Sequence, residues 1–371
     1  MGKYRVCVYA ICKNEEKFAA RFMESAREAD GVYVLDTGSE DRSAEALRAL
    51  GATVERAEIT PWRFDAARNR SLAMVPEDAD ICVCLDLDEV LRPGWREKLE
   101  AAWTPGTRQA RYKYVWSFKP DGSEDVAFTG EKIHARRGFR WVHPVHEVLR
   151  CDGDPSPVWA EGLQVDHHPD PSKSRAQYLP LLELAAREEP DDDRCAHYLG
   201  REYFFHGAYE KCVDALTRHL QMPSARWPDE RCASCRYIAK AFAALGRPSE
   251  QEKWLLRAAA EAPRLREPWL DMARFHYARG DWEGVLFACR RALRIPDGPP
   301  TYIRESACFG PLPWDLLSIA CWRLGLRAEA AKAVEEALRL APDDERLQRN
   351  RALMNAPARV TPDRQTAPPA T

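Results

Sequence analysis

The sequence predicts an α/β nucleotide-binding domain over residues 1–170, followed by an all-α repeat domain over residues 171–355. Three observations carry this reading. An apolar run, Ile81-Cys82-Val83-Cys84-Leu85, ends by releasing Asp86, Asp88 and Glu89. Before it, strand and helix patterns alternate as βαβαβ, the order of a nucleotide-binding half-fold. After Pro169 strand-like alternation disappears, and helical patterns broken by turn glycines take over.

Size and composition set the outer limits. At 371 residues, with 45% hydrophobic and 30% charged residues and a net charge of -3, the chain exceeds one typical core and has no strong basic field. Nucleic acid is therefore not an expected partner. The apolar runs fall far short of a transmembrane span. The opening MGKYRVCVYAICKNEE breaks its apolar stretch too early for a signal peptide, so the cytoplasm is the expected compartment. Twelve cysteines in such a chain are expected as reduced, buried thiols. Cys232 and Cys235 form a lone Cys-x-x-Cys without a second pair, which favours packing on a helix face over zinc.

The elements follow in order. Tyr4 to Cys12 reads as the first strand and KNEEKFAARFMESAREAD as a helix, which puts Lys13, Asn14 and Glu15 in a ligand-facing turn. A simple capping role for Asn14 is the plain alternative. Gly31 to Leu35 gives a second strand ending in Asp36-Thr37-Gly38-Ser39, where a carboxylate could meet a ribose or base and the backbone amides could meet the ligand. SAEALRALG is a helix and ATVERAEI a third strand. Phe64 to Asn69 starts a helix bearing Arg68, whose planar donor fork suits a diphosphate; a surface salt bridge is the alternative.

The run from Ile81 to Leu91 is apolar on both faces, which suits the central strand of a parallel sheet. Ligands of open α/β sheets bind beyond the carboxyl ends of strands, where Asp86, Asp88 and Glu89 would sit. Carboxylates this close repel unless a cation neutralises them, and Mn2+ or Mg2+ takes oxygen ligands and shares phosphate oxygens. A calcium loop is excluded by Leu91 at the position that needs glycine. RPGWREKLEAAW then reads as a helix, Gln109 to Phe118 as a strand, and Asp121-Gly122-Ser123 as a turn. EKIHARRGFRWVHPVHEVL sets His146 and Glu147 at a strand edge, and Leu163 to Val165 ends in Asp166-His167-His168.

In the second half, Gly207, Gly246, Gly280 and Gly325 stand 39, 34 and 45 residues apart between helical stretches. This resembles tetratricopeptide repeats in three or four copies. Stacked helix pairs offer a groove for an extended peptide, with Tyr203, Phe205, Trp254, Trp269 and Tyr277 as aromatic contacts; a scaffold or homodimer interface is the alternative. The Pro- and Ala-rich tail over residues 356–371 is expected to be disordered.

Taken together, KNEE at 13–16, DTGSED at 36–41, FDAARN at 64–69, DLDEVL at 86–91, HEVL at 146–149 and DHH at 166–168 resemble the family-two glycosyltransferases of GT-A fold. The resemblance implies an inverting, metal-dependent transfer of a hexose from a UDP-sugar. Asp36 would read the uracil or ribose, Asp88 would ligate Mn2+ or Mg2+, and Asp86 would face the ribose or a metal-bound water. Ala10, Asn14, Glu15 and Arg68 would complete the donor site. His167 or its neighbour His168 would be a further metal or diphosphate ligand. Glu147 matches the general base, ahead of Asp125 and Glu124. A peptide or protein acceptor is expected, since some bacterial enzymes joining these two modules glycosylate peptide side chains. A saccharide or lipid-linked cell-envelope acceptor is the alternative, and a non-catalytic scaffold is the reading from another class. Kinase and dehydrogenase glycine loops are absent from the sequence.

Overall fold

The computed structural model describes residues 2–171, 176–298 and 301–355. The tail beginning at residue 356, expected to be disordered, lies outside the described residues. β1 (Val6–Cys12), β2 (Gly31–Asp36), β3 (Thr53–Arg56) and β4 (Ile81–Cys84) alternate with α1 (Glu16–Ser25), α2 (Ser43–Ala49) and α3 (Phe64–Met74). These strands run parallel in the order β3-β2-β1-β4. β5 (Glu89–Leu91), α4 (Trp95–Ala102), β6 (Gln109–Phe118), β7 (Glu124–Ala135), β8 (Phe139–Val142), β9 (Val148–Cys151) and β10 (Pro157–His167) follow. The sheet continues from β4 as β7-β6-β10-β5, and β8 pairs with β9 in a separate ribbon.

Two expectations are corrected here. The sheet is mixed, because β7 runs antiparallel to both β4 and β6. The stretch from Ile81 to Leu91 is two strands. The Glu89 amide donates to the Asp86 carbonyl at 2.9 Å and the Asp86 amide donates to the Glu89 carboxylate at 3.0 Å, which closes a turn between them. β5 then reverses to pair antiparallel with β10. That turn lifts Asp86 and Asp88 out of the ladder.

Burial on both faces of the sheet follows the period of two. Val6, Val8, Ala10, Ile81 and Val83 pack with Phe22 of α1, Leu47 of α2 and Trp95 and Leu99 of α4. Cys7, Tyr9, Cys82 and Cys84 face the other way, with Leu72 of α3 and Trp141 of β8. Each large apolar side chain so buried contributes about 1.5–3 kcal/mol. The twelve cysteines form no disulfide, and Cys232 and Cys235 are buried on a helix.

The helical half comprises α5 (Tyr178–Glu188), α6 (Asp193–Phe205), α7 (Tyr209–Gln221), α8 (Pro228–Ala244), α9 (Pro248–Glu261), α10 (Glu267–Tyr277), α11 (Trp282–Arg294), α12 (Leu312–Arg323), α13 (Arg327–Leu340) and α14 (Glu345–Asn355). Gly207, Gly246, Gly280 and Gly325 sit between α6 and α7, α8 and α9, α10 and α11, and α12 and α13, each with φ between 67° and 77°. Only glycine takes that left-handed turn at no steric cost. At each of these glycines one helix ends and the next begins. The described residues fall into two compact units, one within 2–251 and 298–304, the other within 252–297 and 305–355. Sheet gives way to helix near residue 170, yet α5 to α8 belong to the same unit as the sheet.

Candidate active site

At the carboxyl ends of β1, β2 and β4 the sheet presents the carboxylates that the sequence singled out. Asp36 closes β2 and is fully buried. Its Oδ1 accepts the amides of Gly38 at 3.2 Å and Ser39 at 2.8 Å. Those amides, expected to meet a ligand, are therefore engaged by the aspartate itself. Asp36 Oδ2 has no hydrogen bond, and Arg56 Nε stands 3.9 Å away. Asn14, at φ 55°, does not cap α1: its Oδ1 accepts the Glu40 amide at 2.7 Å and its own amide donates to Ser39 Oγ at 3.0 Å. The Glu15 amide likewise donates to Ser43 Oγ at 2.7 Å. Asn14 and Glu15 thus fasten the β1 turn to the loop after Asp36. Ala10 is buried inside β1, paired with Val34, and packs in the apolar core.

Arg68 is 6% exposed on α3, so the surface ion pair offered as its alternative is ruled out by burial. Its Nη2 donates to Asp86 Oδ1 at 2.8 Å and its Nε to Glu147 Oε1, while its guanidinium lies 5.1 Å from the Trp141 ring centre. Asp86 Oδ2 also faces Lys132 Nζ of β7 at 3.4 Å. Burial opposes the Asp86 charge, but Arg68 and Lys132 outweigh it and hold the carboxyl well below the usual range. Burial equally opposes the two cations, and their carboxylate neighbours raise both above their ordinary values.

Glu89 is placed differently from its expected ligand-facing position. It is 1% exposed, and it accepts Lys132 Nζ at 2.6 Å and 2.7 Å and Tyr114 Oη at 2.7 Å. Asp88 is 8% exposed, with Oδ2 at 3.6 Å from His167 Nε2. His167 Nδ1 lies 3.0 Å from the Trp116 carbonyl, which fixes the ring so that Nε2 points at Asp88. Burial lowers the His167 pKa, but Asp88 and that carbonyl overcome it and leave it raised. His168 turns away and stacks on Phe118 at 5.4 Å and 7°. Of the two histidines, the His167 ring is the one that faces Asp88.

Glu147 joins the same cluster through Arg68. Glu124 belongs to another network, with Lys113 at 2.5 Å and Gln164 at 3.0 Å, and Asp125 accepts Ser117 Oγ at 3.2 Å. Sequence reasoning missed Lys132 and Tyr114, which reach the carboxylates from β7 and β6. It also missed Trp116, 48% exposed and stacked on His167 at 4.3 Å. Among the described residues, groups of three potential metal ligands occur elsewhere, at His143, Asp192 and Cys195 and at Asp193, His219 and Glu230. Asp88 and His167 are a pair.

Residues 7–140 match the family model described as glycosyl transferase family 2. Among solved structures, the chain is similar to MamA at 14% identity, covering 45% of this chain and 89% of that one with a TM-score of 0.36. A thermophilic TPR protein in Thermus thermophilus is 19% identical, covering 47% and 88% with a TM-score of 0.34. Yeast Tom70 is 16% identical, covering 49% and 36% with a TM-score of 0.37.

Proposed function

The chain carries a glycosyl transferase family 2 domain ahead of its tetratricopeptide-like helix pairs, and from that premise we propose that it moves a hexose from a UDP-sugar to an acceptor with inversion. The observation that carries this reading is the pairing of Asp88 with His167 beside carboxylates that already have partners. Four carboxylates, Asp86, Asp88, Glu89 and Glu147, stand against two cations, Arg68 and Lys132. One carboxylate oxygen and one imidazole nitrogen leave the remaining positions of Mn2+ or Mg2+ for phosphate oxygens. When bound, the ion neutralises charge developing on the departing diphosphate.

The chain's own residues supply the rest. Asp36 offers its unbonded Oδ2 to a donor N–H or O–H of the nucleoside. Arg68 holds Asp86 and Glu147 in one plane of donors beside the diphosphate position. As the acceptor's nucleophile bonds to the anomeric carbon, the carbon–oxygen bond to UDP breaks, and Glu147 takes the acceptor's proton.

The acceptor in this reading is a peptide or protein side chain, supported by the helix-pair repeat and by exposed Phe205 and Tyr277 on its helices. A saccharide acceptor is the second reading, favoured by Trp116, whose half-exposed indole offers a flat apolar face next to His167. A cytoplasmic setting accords with twelve cysteines that form no disulfide. Among the described residues, no helix is long and apolar enough to cross a membrane.

The test is a panel of UDP-sugars incubated with the chain and Mn2+, with UDP release and acceptor mass read by mass spectrometry. At least one donor should release UDP, and Asp88→Asn should lower the rate by about two orders of magnitude or more. No turnover and no metal-dependent nucleotide binding with any donor would favour the non-catalytic scaffold.

A further inference from the structure

Glu147 is carried by the loop between β8 and β9, and that loop is held by the first helices of the repeat. His143 at φ 76° and His146 at φ 51° both occupy the left-handed region. Such a residue persists only where surrounding contacts over-determine it. The contacts come from α5 and α6. Val145 is buried against Leu181, Leu182 and Tyr198. The His146 ring lies flat on Tyr198, with centroids 4.1 Å apart at 16°, and meets the edge of Tyr178 at 5.6 Å. Tyr198 is itself fixed by Arg201 and Arg194, 4.5 Å and 4.9 Å from its ring centre. His143 adds a second anchor, with Nδ1 3.5 Å from Cys195 Sγ and Nε2 3.6 Å from Asp192. Toward the sheet domain, the Pro144 carbonyl accepts the Phe64 amide at 2.9 Å and Glu147 meets Arg68 of α3.

The loop is thus strung between α3, which carries Arg68, and α6, which carries Tyr198. We propose that Tyr198 is a positioning residue for Glu147. By stacking on His146 it fixes the backbone one residue ahead of the carboxylate, so that α6 of the repeat takes part in the transfer chemistry. The proposal rests on Glu147 as the proton acceptor. Tyr198 does not touch the reacting atoms, and its effect belongs on turnover rather than donor affinity. A carboxylate displaced by about 1 Å loses on the order of 100-fold in rate.

The full-length chain is compared with its Tyr198→Leu, Tyr198→Phe and Glu147→Gln variants. Leucine keeps the apolar volume but removes the flat ring, whereas phenylalanine keeps the ring. Tyr198→Leu should lower kcat for UDP release by about 10- to 100-fold, leave the donor KM within about twofold, and speed amide hydrogen exchange over residues 143–149. Tyr198→Phe should restore both readouts to parental values. A parental kcat in Tyr198→Leu beside an inactive Glu147→Gln would overturn the positioning role and leave the base assignment intact. A fully active Glu147→Gln would overturn both. Unchanged exchange over residues 143–149 in Tyr198→Leu would overturn the proposal even without turnover.

Discussion

Glu89 shows how a residue next to a motif can serve the fold. With Lys132, Tyr114 and the Asp86 amide as partners it is a fully satisfied buried carboxylate. Lys132→Met would remove its one cationic partner and leave only Tyr114 and the Asp86 amide, and should cost about 3–5 kcal/mol by urea unfolding. Asp88→Asn, in contrast, keeps the side-chain volume beside His167 and should destabilise less than Lys132→Met while removing metal-dependent nucleotide binding. Two buried histidines set the response to acid. Burial pushes His134 down to about 4 and His197 down to about 3, both below the ordinary 6.5. Between those values and 6.5 the unfolded chain binds the extra proton, so stability is full above 6.5 and falls as pH drops toward 4. Each group contributes a slope of about 1.4 kcal/mol per pH unit in that window. Thermal melts from pH 7 to pH 4.5 should show the decline, and His197→Gln should flatten it. The positions of Asp36 and His167 were legible because each ends a recognisable strand, and that of Asp88 because it lies in the turn directly after one. Lys132 and Tyr114 were not, because their partners lie some 40 and 25 residues away and meet only when β7 and β6 join the sheet.

Among the elements, the sequence was most legible where local chemistry decides structure. β6 spans the expected Gln109–Phe118, and all four spaced glycines are the positive-φ turns of helix pairs. The apolar run at β4 misled by length: hydrophobicity continues through Leu91, but the reciprocal Asp86 and Glu89 bonds end the strand at Cys84. The antiparallel β7 also left no periodic signal distinguishing it from a parallel neighbour. Within the helix pairs, close approach is a specific demand. A Cβ on Gly200 of α6 would lie 2.4 Å from Leu216 of α7. Gly200→Ala should therefore destabilise by about 1–3 kcal/mol despite its better helix propensity, and should cost less when made in a Leu216→Ala background than in the parent. Comparing melting temperatures in the two backgrounds checks it.

For the whole molecule, the change from strand to helix near residue 170 was plain in the sequence, but compactness does not follow it. The apolar cluster of Val145, Leu181, Leu182 and Tyr198 joins the sheet domain to α5 and α6, contacts separated in sequence and invisible to periodicity. Bidentate Arg63 bonds to Glu188, at 2.9 Å and 3.1 Å, add to that seam. The domain expected to end at residue 170 therefore leaves a seam exposed if cut there, and we propose that α5 to α8 fold with it. The nucleotide-sugar reading itself turns on whether Asp88 and His167 hold a cation that a diphosphate completes. Calorimetric titration of UDP into the full chain, with Mn2+ and with a chelator, addresses this directly. The account predicts binding at least about tenfold tighter with Mn2+ in the parent, and no metal effect in Asp88→Asn. Equal UDP affinity with and without the metal, or an undiminished metal effect in Asp88→Asn, would contradict it.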